Sequence, residues 1–139
     1  MKKALIIYNS KKGTTKKFGN EIGEFLNTKN IDSKVIPIYD FNENEVSGYD
    51  YIFLGCWTSG LFICMQHPQQ DWIDFAKKLP NLKNKKVVLF TTYKLATGSM
   101  FRKMKTHLET KIDNISLELK SRDGMLNKSN ITELLEFAE

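Results

Sequence analysis

Three short runs of this chain are apolar at every position: Ala4-Leu5-Ile6-Ile7-Tyr8, Tyr51-Ile52-Phe53-Leu54 and Val87-Val88-Leu89-Phe90. A strand with one wet face alternates apolar and polar residues. An unbroken run fits a strand covered on both faces. Helix-period segments separate these runs. Phe18, Ile22, Phe25 and Leu26 share one side of a helix expected over 14–28. Trp72, Phe75, Ala76 and Leu79 keep helical spacing up to Pro80, with Pro68 expected at the helix start. Phe101, Met104 and Leu108 form a further stripe behind Ser99 as a candidate cap, and Ile131, Leu134, Leu135 and Ala138 mark a last helix. Two weaker strands complete the series. Val35, Ile36, Ile38 and Tyr39 read as an irregular strand whose Pro37 lacks a ladder N–H, which favours an edge. Ile115, Leu117 and Leu119 alternate with polar neighbours, as at a sheet margin. Residues 42–47 suit a short helix or turn. Strand and helix alternate five times, so the expected class is α/β, an open and mostly parallel sheet with helices on both faces.

In such sheets, ligands sit beyond the carboxyl ends of the strands. Three segments that follow strands, 9–15, 55–67 and 91–98, are rich in Gly, Ser, Thr and aromatic residues. The strand before the second is expected to end at Gly55. The first segment joins a buried strand to a helix start. Its unpaired N–H groups and the positive end of the helix dipole favour an anion. Ser10, Thr14 and Thr15 add hydroxyls, and Gly13 permits close approach of the backbone. Turns and helix caps need the same residue types, so both readings stand on spacing alone. The segment is neither GxGxxG nor GxxxxGK[ST], which leaves dinucleotide and ATP sites of the usual kinds without support. The second segment is too apolar for an ordinary exposed connection: it packs inward or lines a pocket.

The chain has 139 residues, enough for one domain, expected over 1–139, with a real core. No apolar stretch reaches membrane-spanning length, and the short run after Met1 does not resemble a signal peptide. Cys56 and Cys64 make no disulfide framework, so a cytoplasmic location is expected. The formal charge of +5 is spread over lysine pairs, and the only arginines are Arg102 and Arg122. No nucleic-acid-binding run results, and the lysine excess points instead to an acidic partner. The cysteine spacing lacks further metal ligands, and His67 and His107 have no partner pattern around a nucleophile. Catalytic and metal residues are therefore not assigned. Trp72 and Phe75 read as core. Trp57 and Tyr93 are ring-stacking candidates, with packing as the alternative.

Ser10-Lys11-Lys12-Gly13-Thr14-Thr15 resembles the phosphate loop of the short-chain flavodoxins, with Lys12 where that loop has Thr. Residues 50–60, DYIFLGCWTSG, resemble the strand and first flavin-ring loop of that family. Residues 85–102, KKVVLFTTYKLATGSMFR, resemble its fourth strand and second ring loop. The resemblance spans nearly the whole chain. It implies a three-layer sandwich whose five parallel strands run in the order 2-1-3-4-5. It also implies non-covalent FMN and electron carriage in one-electron steps between redox partners. By position, Ser10, Lys11, Lys12, Gly13, Thr14 and Thr15 would hold the phosphate. Cys56, Trp57, Thr58, Ser59 and Gly60 would flank the ring, as would Thr91, Thr92, Tyr93, Leu95 and Gly98. Gly60 matches the glycine whose peptide rotates on one-electron reduction, so that its carbonyl accepts from the protonated ring N5.

Three departures carry consequences. Leu95 stands where the family often has a stacking aromatic residue. Leu61 and Phe62 follow Gly60 where acidic residues are common. The chain is basic where flavodoxins are usually acidic. Lys11, Lys12 and Lys94 should therefore favour fully reduced, anionic FMN, giving a less negative potential than an acidic flavodoxin has. The redox partner is expected to dock through an acidic face or against the Leu61–Phe62 rim. A small FMN-dependent reductase, or a redox subunit of one, is the enzyme alternative. A flavodoxin-shaped interaction module without flavin is the third reading.

Overall fold

The computed structural model describes residues 1–59 and 66–139. The apolar runs form the middle of a five-stranded sheet: β1 (Lys3–Asn9), β2 (Asp32–Pro37), β3 (Tyr51–Trp57), β4 (Lys86–Thr92) and β5 (Leu117–Ser121). The order is β2-β1-β3-β4-β5, and every neighbouring pair is parallel. This is the expected 2-1-3-4-5 order. The helices are α1 (Thr14–Thr28), α2 (Gln70–Lys77), α3 (Met100–Thr106) and α4 (Lys128–Ala138).

The period of two along each strand sorts its side chains between two cores. Leu5, Ile7, Ile52, Leu54, Val87 and Leu89 face α2 and α3, where Trp72, Phe75, Met100 and Met104 meet them. Ala4, Ile6, Phe53, Val88 and Phe90 face α1 and α4, where Phe18, Ile22, Leu26 and Leu134 meet them. Each Val, Leu, Ile, Phe or Met among them contributes about 1.5–3 kcal/mol when fully buried. The continuous apolar runs thus have their cause in a sheet covered on both sides.

Several boundaries differ from those expected. β3 does not end at Gly55 but continues to Trp57, pairing Gly55 with Phe90, Cys56 with Thr91 and Trp57 with Thr92. Gly55 makes room for a neighbour: a Cβ there would lie 2.1 Å from the buried Phe90 ring, which meets Phe18 edge-on. β2 stops at Pro37, and Ile38–Asp40 winds into a 3₁₀ turn that leaves Tyr39 73% exposed. The edge position of β2 is as expected. α2 starts at Gln70 instead of Pro68, and the Gln69 side chain accepts from the N–H of Asp71. Ser99 makes no side-chain cap and donates its hydroxyl to the Gln66 carbonyl at 3.0 Å. On α4, Leu135 is 40% exposed, and Phe137 packs on Tyr51 and Phe53 with ring centroids 4.9 and 5.6 Å away.

Candidate functional site

The carboxyl ends of β1, β3, β4 and β5 open on one cavity of about 520 Å³. That lies within the usual range for small-molecule sites. Four loops form it. The first runs from β1 into α1. Gly13 precedes the helix at φ 93°, a left-handed conformation that glycine adopts without a Cβ penalty. Its N–H donates to Ser10 Oγ at 3.0 Å, which leaves the Ser10 hydroxyl hydrogen free to donate elsewhere. No side chain caps α1. Lys17 N–H reaches the Gly13 carbonyl. Among the described residues, the N–H groups of Thr14, Thr15 and Lys16 find no acceptor. Ser10, Lys11, Lys12, Thr14 and Thr15 line the cavity. Free backbone N–H groups, hydroxyls and two lysines thus gather at one helix start, an arrangement whose dipole and donors favour an anion.

The second and third loops are tied together by hydroxyls. Thr15 and Thr92, both buried, share a hydrogen bond of 2.6 Å, which joins the α1 start to the end of β4. Thr58 Oγ1 lies 2.8 Å from Thr91 Oγ1, and Thr91 donates to the Cys56 carbonyl at 2.6 Å. Thr58 N–H donates to the Thr92 carbonyl at 2.8 Å. Trp57, Thr58 and Ser59 line the cavity from β3, and Thr92, Tyr93, Lys94, Leu95 and Ala96 line it from β4. Ser59 and His67 exchange two backbone hydrogen bonds of 3.0 Å. Gly60, Leu61, Phe62 and Cys64 lie outside the described residues.

The fourth loop is not foreseen from the sequence. It follows β5 and brings Arg122 to the cavity wall. The Ser121 hydroxyl accepts from Gly124 N–H at 3.0 Å and donates to the Met125 carbonyl at 2.8 Å. Asp123 turns its carboxylate back into this loop, where the N–H of Met125 holds its pKa below the usual value. The signal for Arg122 was its position after a strand of the same sheet. The loop lacks the Ser, Thr and aromatic residues that mark the other three.

Two aromatic rings stand in the cavity wall, each accompanied by a cation. Lys11 Nζ lies 5.0 Å from the centroid of Trp57, and the Arg122 guanidinium lies 5.5 Å from that of Tyr93. With Lys12 and Lys94, four cations border the cavity. Among the described residues that line it there is no carboxylate. Leu95 is 68% exposed at the mouth.

Gly13, Cys56, Thr91 and Gly98, also singled out from sequence, do not line the cavity. Gly13 shapes the first loop from outside. Thr91 is buried behind Thr58, and Gly98 sits at φ 50° before α3. Cys56 points into the α2–α3 core, and burial pushes its thiol up to about 12. We expect Cys56 to stay unmodified by iodoacetamide at pH 8 in the folded protein and to react once it unfolds. Peptide mapping that found it labelled at the native rate of a free thiol would contradict this placement. In the unfolded chain the thiol ionises near the ordinary value of 9.0, while the folded one stays protonated until about 12. Its ionisation therefore lowers stability as pH rises across that window and has no effect below it. Among the described residues, no group of three His, Cys, Asp or Glu is placed to hold a metal, and no helix is long and apolar enough to cross a membrane.

The geometry has known counterparts. A family model described as a flavodoxin domain matches residues 5–128. The flavodoxin of Megasphaera elsdenii is 29% identical over 106 residues, which is 75% of this chain and 74% of that one. The solution structure of two-electron-reduced M. elsdenii flavodoxin matches with a TM-score of 0.76 at 26% identity, covering 97% of each chain. Oxidised Flavodoxin 1 from Bacillus cereus matches in fold with a TM-score of 0.70 at 23% identity, covering 98% of this chain and 94% of its own. Sheet order, helix placement and the family match agree, and the chain belongs to the flavodoxin family, whose members carry electrons on bound FMN.

Proposed function

We propose that residues 1–139 act as one flavodoxin-like unit that binds FMN in this cavity and passes electrons singly between redox partner proteins. The observation that carries the reading is the uncapped start of α1. Three free N–H groups, the Ser10 hydroxyl and the two lysines converge there, beside the aromatic walls at Trp57 and Tyr93.

The residues fit FMN. The α1 start offers donors and positive charge to a phosphate. Trp57 and Tyr93 offer flat faces to a ring system, and the cavity is of a size for such a ligand. FMN supplies the electron-accepting and electron-donating chemistry when bound. The protein's own groups do the rest. Ser10, Lys12, Gly13, Thr14 and Thr15 hold the phosphate. Residues 56–59 and 91–98 flank the ring, with Cys56 and Thr91 set behind the lining. The Thr15–Thr92 bond locks the phosphate loop to the β4 loop, so both ends of the ligand meet one rigid frame.

Lys11, Lys12, Lys94 and Arg122 are all exposed, and Leu95 stands among them. This gives a basic mouth with an apolar spot. A partner with an acidic docking face complements it. The compartment we assign is the cytoplasm; among the described residues Cys56 is a buried free thiol, which suits a reducing environment.

Titration of the apo-protein with FMN, followed by anaerobic reduction, tests the reading. Saturable binding and spectra that pass through a half-reduced stage are expected. Association with the partner should slow as salt rises. Failure to bind FMN would remove the redox function. Direct oxidation of a reduced nicotinamide by the purified protein would make it a reductase instead of a carrier.

A further inference from the structure

Hydrogen-bond direction at Thr58 fixes what that residue can offer the cavity. Thr91 carries one hydroxyl hydrogen, and two carbonyl oxygens lie within its reach: Cys56 at 2.6 Å and Thr92 at 3.3 Å. A carbonyl oxygen cannot donate. Two oxygens 2.6 Å apart with no hydrogen between them would repel. The Thr91 hydrogen is therefore engaged, and the 2.8 Å contact between Thr58 Oγ1 and Thr91 Oγ1 takes its hydrogen from Thr58. The backbone N–H of Thr58 is engaged as well, on the Thr92 carbonyl. Among the described residues, nothing else meets Thr58 Oγ1. Thr58 lines the cavity with both donors turned away and its oxygen lone pairs open.

This sets Thr58 apart from its surroundings. Ser10, Lys11, Lys12, Arg122 and the α1 start all present donors or positive charge. A cavity lined by donors and positive charge, with one hydroxyl limited to accepting, suits a ligand that is anionic at one point and bears an N–H at another.

We propose that Thr58 is a specificity-determining residue that accepts a hydrogen bond from a ring N–H of the bound flavin. The inference rests on the FMN reading above and adds the polarity of one contact to it. In oxidised FMN and in its anionic reduced form, two ring positions at most carry such a hydrogen. N3–H is present in every redox state, whereas N5–H is present only after reduction.

The test compares wild type, Thr58→Val and Thr58→Ser. Dissociation constants are measured for oxidised FMN, dithionite-reduced FMN and 3-methyl-FMN. Thr58→Val keeps the branched shape and removes the acceptor, and a loss of about ten-fold is expected. Loss in both redox states, absent for oxidised 3-methyl-FMN, identifies N3–H. Loss confined to the reduced state identifies N5–H. The potential of the affected one-electron couple then falls by about 59 mV for that ten-fold change. Thr58→Ser should retain wild-type affinity in either case. Unchanged affinities in Thr58→Val overturn the proposal. So does an equal loss for FMN and 3-methyl-FMN with no change between redox states, which marks a packing role. Absence of FMN binding by the wild-type protein overturns the FMN reading itself, together with this contact. Binding without the Thr58 signature overturns the contact alone.

Discussion

Neutralising the four cations of the cavity, through Lys11→Gln, Lys12→Gln, Lys94→Gln and Arg122→Gln together, is expected to make the couple that yields fully reduced FMN more negative by roughly 100 mV. The size follows from Coulomb's law. A unit charge ~8 Å from the ring, at an effective dielectric of ~40, contributes about 1 kcal/mol. That corresponds to ~45 mV for a one-electron couple. Salt screening takes part of the sum of four. The sign is set by the lining itself, which holds four cations and, among the described residues, no carboxylate. Potentiometric titration at two ionic strengths reads the effect, and raising the salt should shrink it. A quadruple variant that titrates with wild type would mean that the cations serve phosphate binding or docking and do not act on the charge of the ring. The wild-type couple should itself be less negative than that of an acidic flavodoxin.

Gly124→Ala is expected to cost about 2–4 kcal/mol of stability and to weaken FMN binding. Gly124 sits at φ 84°, where an L side chain adds about 1 kcal/mol or more of strain. A Cβ there would also lie 2.7 Å from the Thr14 carbonyl oxygen and 3.2 Å from Lys17 Cβ. The carbonyl belongs to the first turn of α1 and cannot swing aside, so the β5–α4 loop must lift, adding about 1–3 kcal/mol. Arg122, two residues earlier, moves with it. Thermal denaturation should show a midpoint lower by roughly 10 °C. Gly48→Ala is the control, because nothing lies within 4 Å of a Cβ at that position. Equal melting of the two variants would mean that the β5–α4 loop yields freely and does not brace the phosphate loop.

The middle of the sheet was legible because β1, β3 and β4 are buried at all but one end residue each, and burial on both faces writes itself as unbroken apolar sequence. Strand ends were less legible. Cys56, Trp57, Thr91 and Thr92 are polar or bulky and look like loop residues. They stay in the ladder because the threonine hydroxyls find partners across the sheet, at Thr15, Thr58 and the Cys56 carbonyl. Local spacing does not encode those long-range pairs. Gly55 looked like a terminator and is instead the space that Phe90 occupies. On α4, helical spacing nominated Leu135, but Phe137 reaches the rings of Tyr51 and Phe53. Three of the four cavity loops announced themselves by composition. The fourth did not, since Arg122 stands among ordinary turn residues and only the sheet's topology brings it to the cavity.

The two tryptophans occupy unlike surroundings, Trp72 sealed in the α2–α3 core and Trp57 half-buried beneath Lys11 at the cavity wall. The protein therefore carries two built-in lamps. Trp72 emits from a dry, rigid environment, at short wavelength and beyond the reach of dissolved iodide. Trp57 emits from a wetter one, and the nearby ammonium draws the anionic quencher towards it. A flavin in the cavity absorbs where indole emits, so its arrival dims Trp57 first. Time-resolved emission can then follow loading of the site and integrity of the core in one sample, with no added dye.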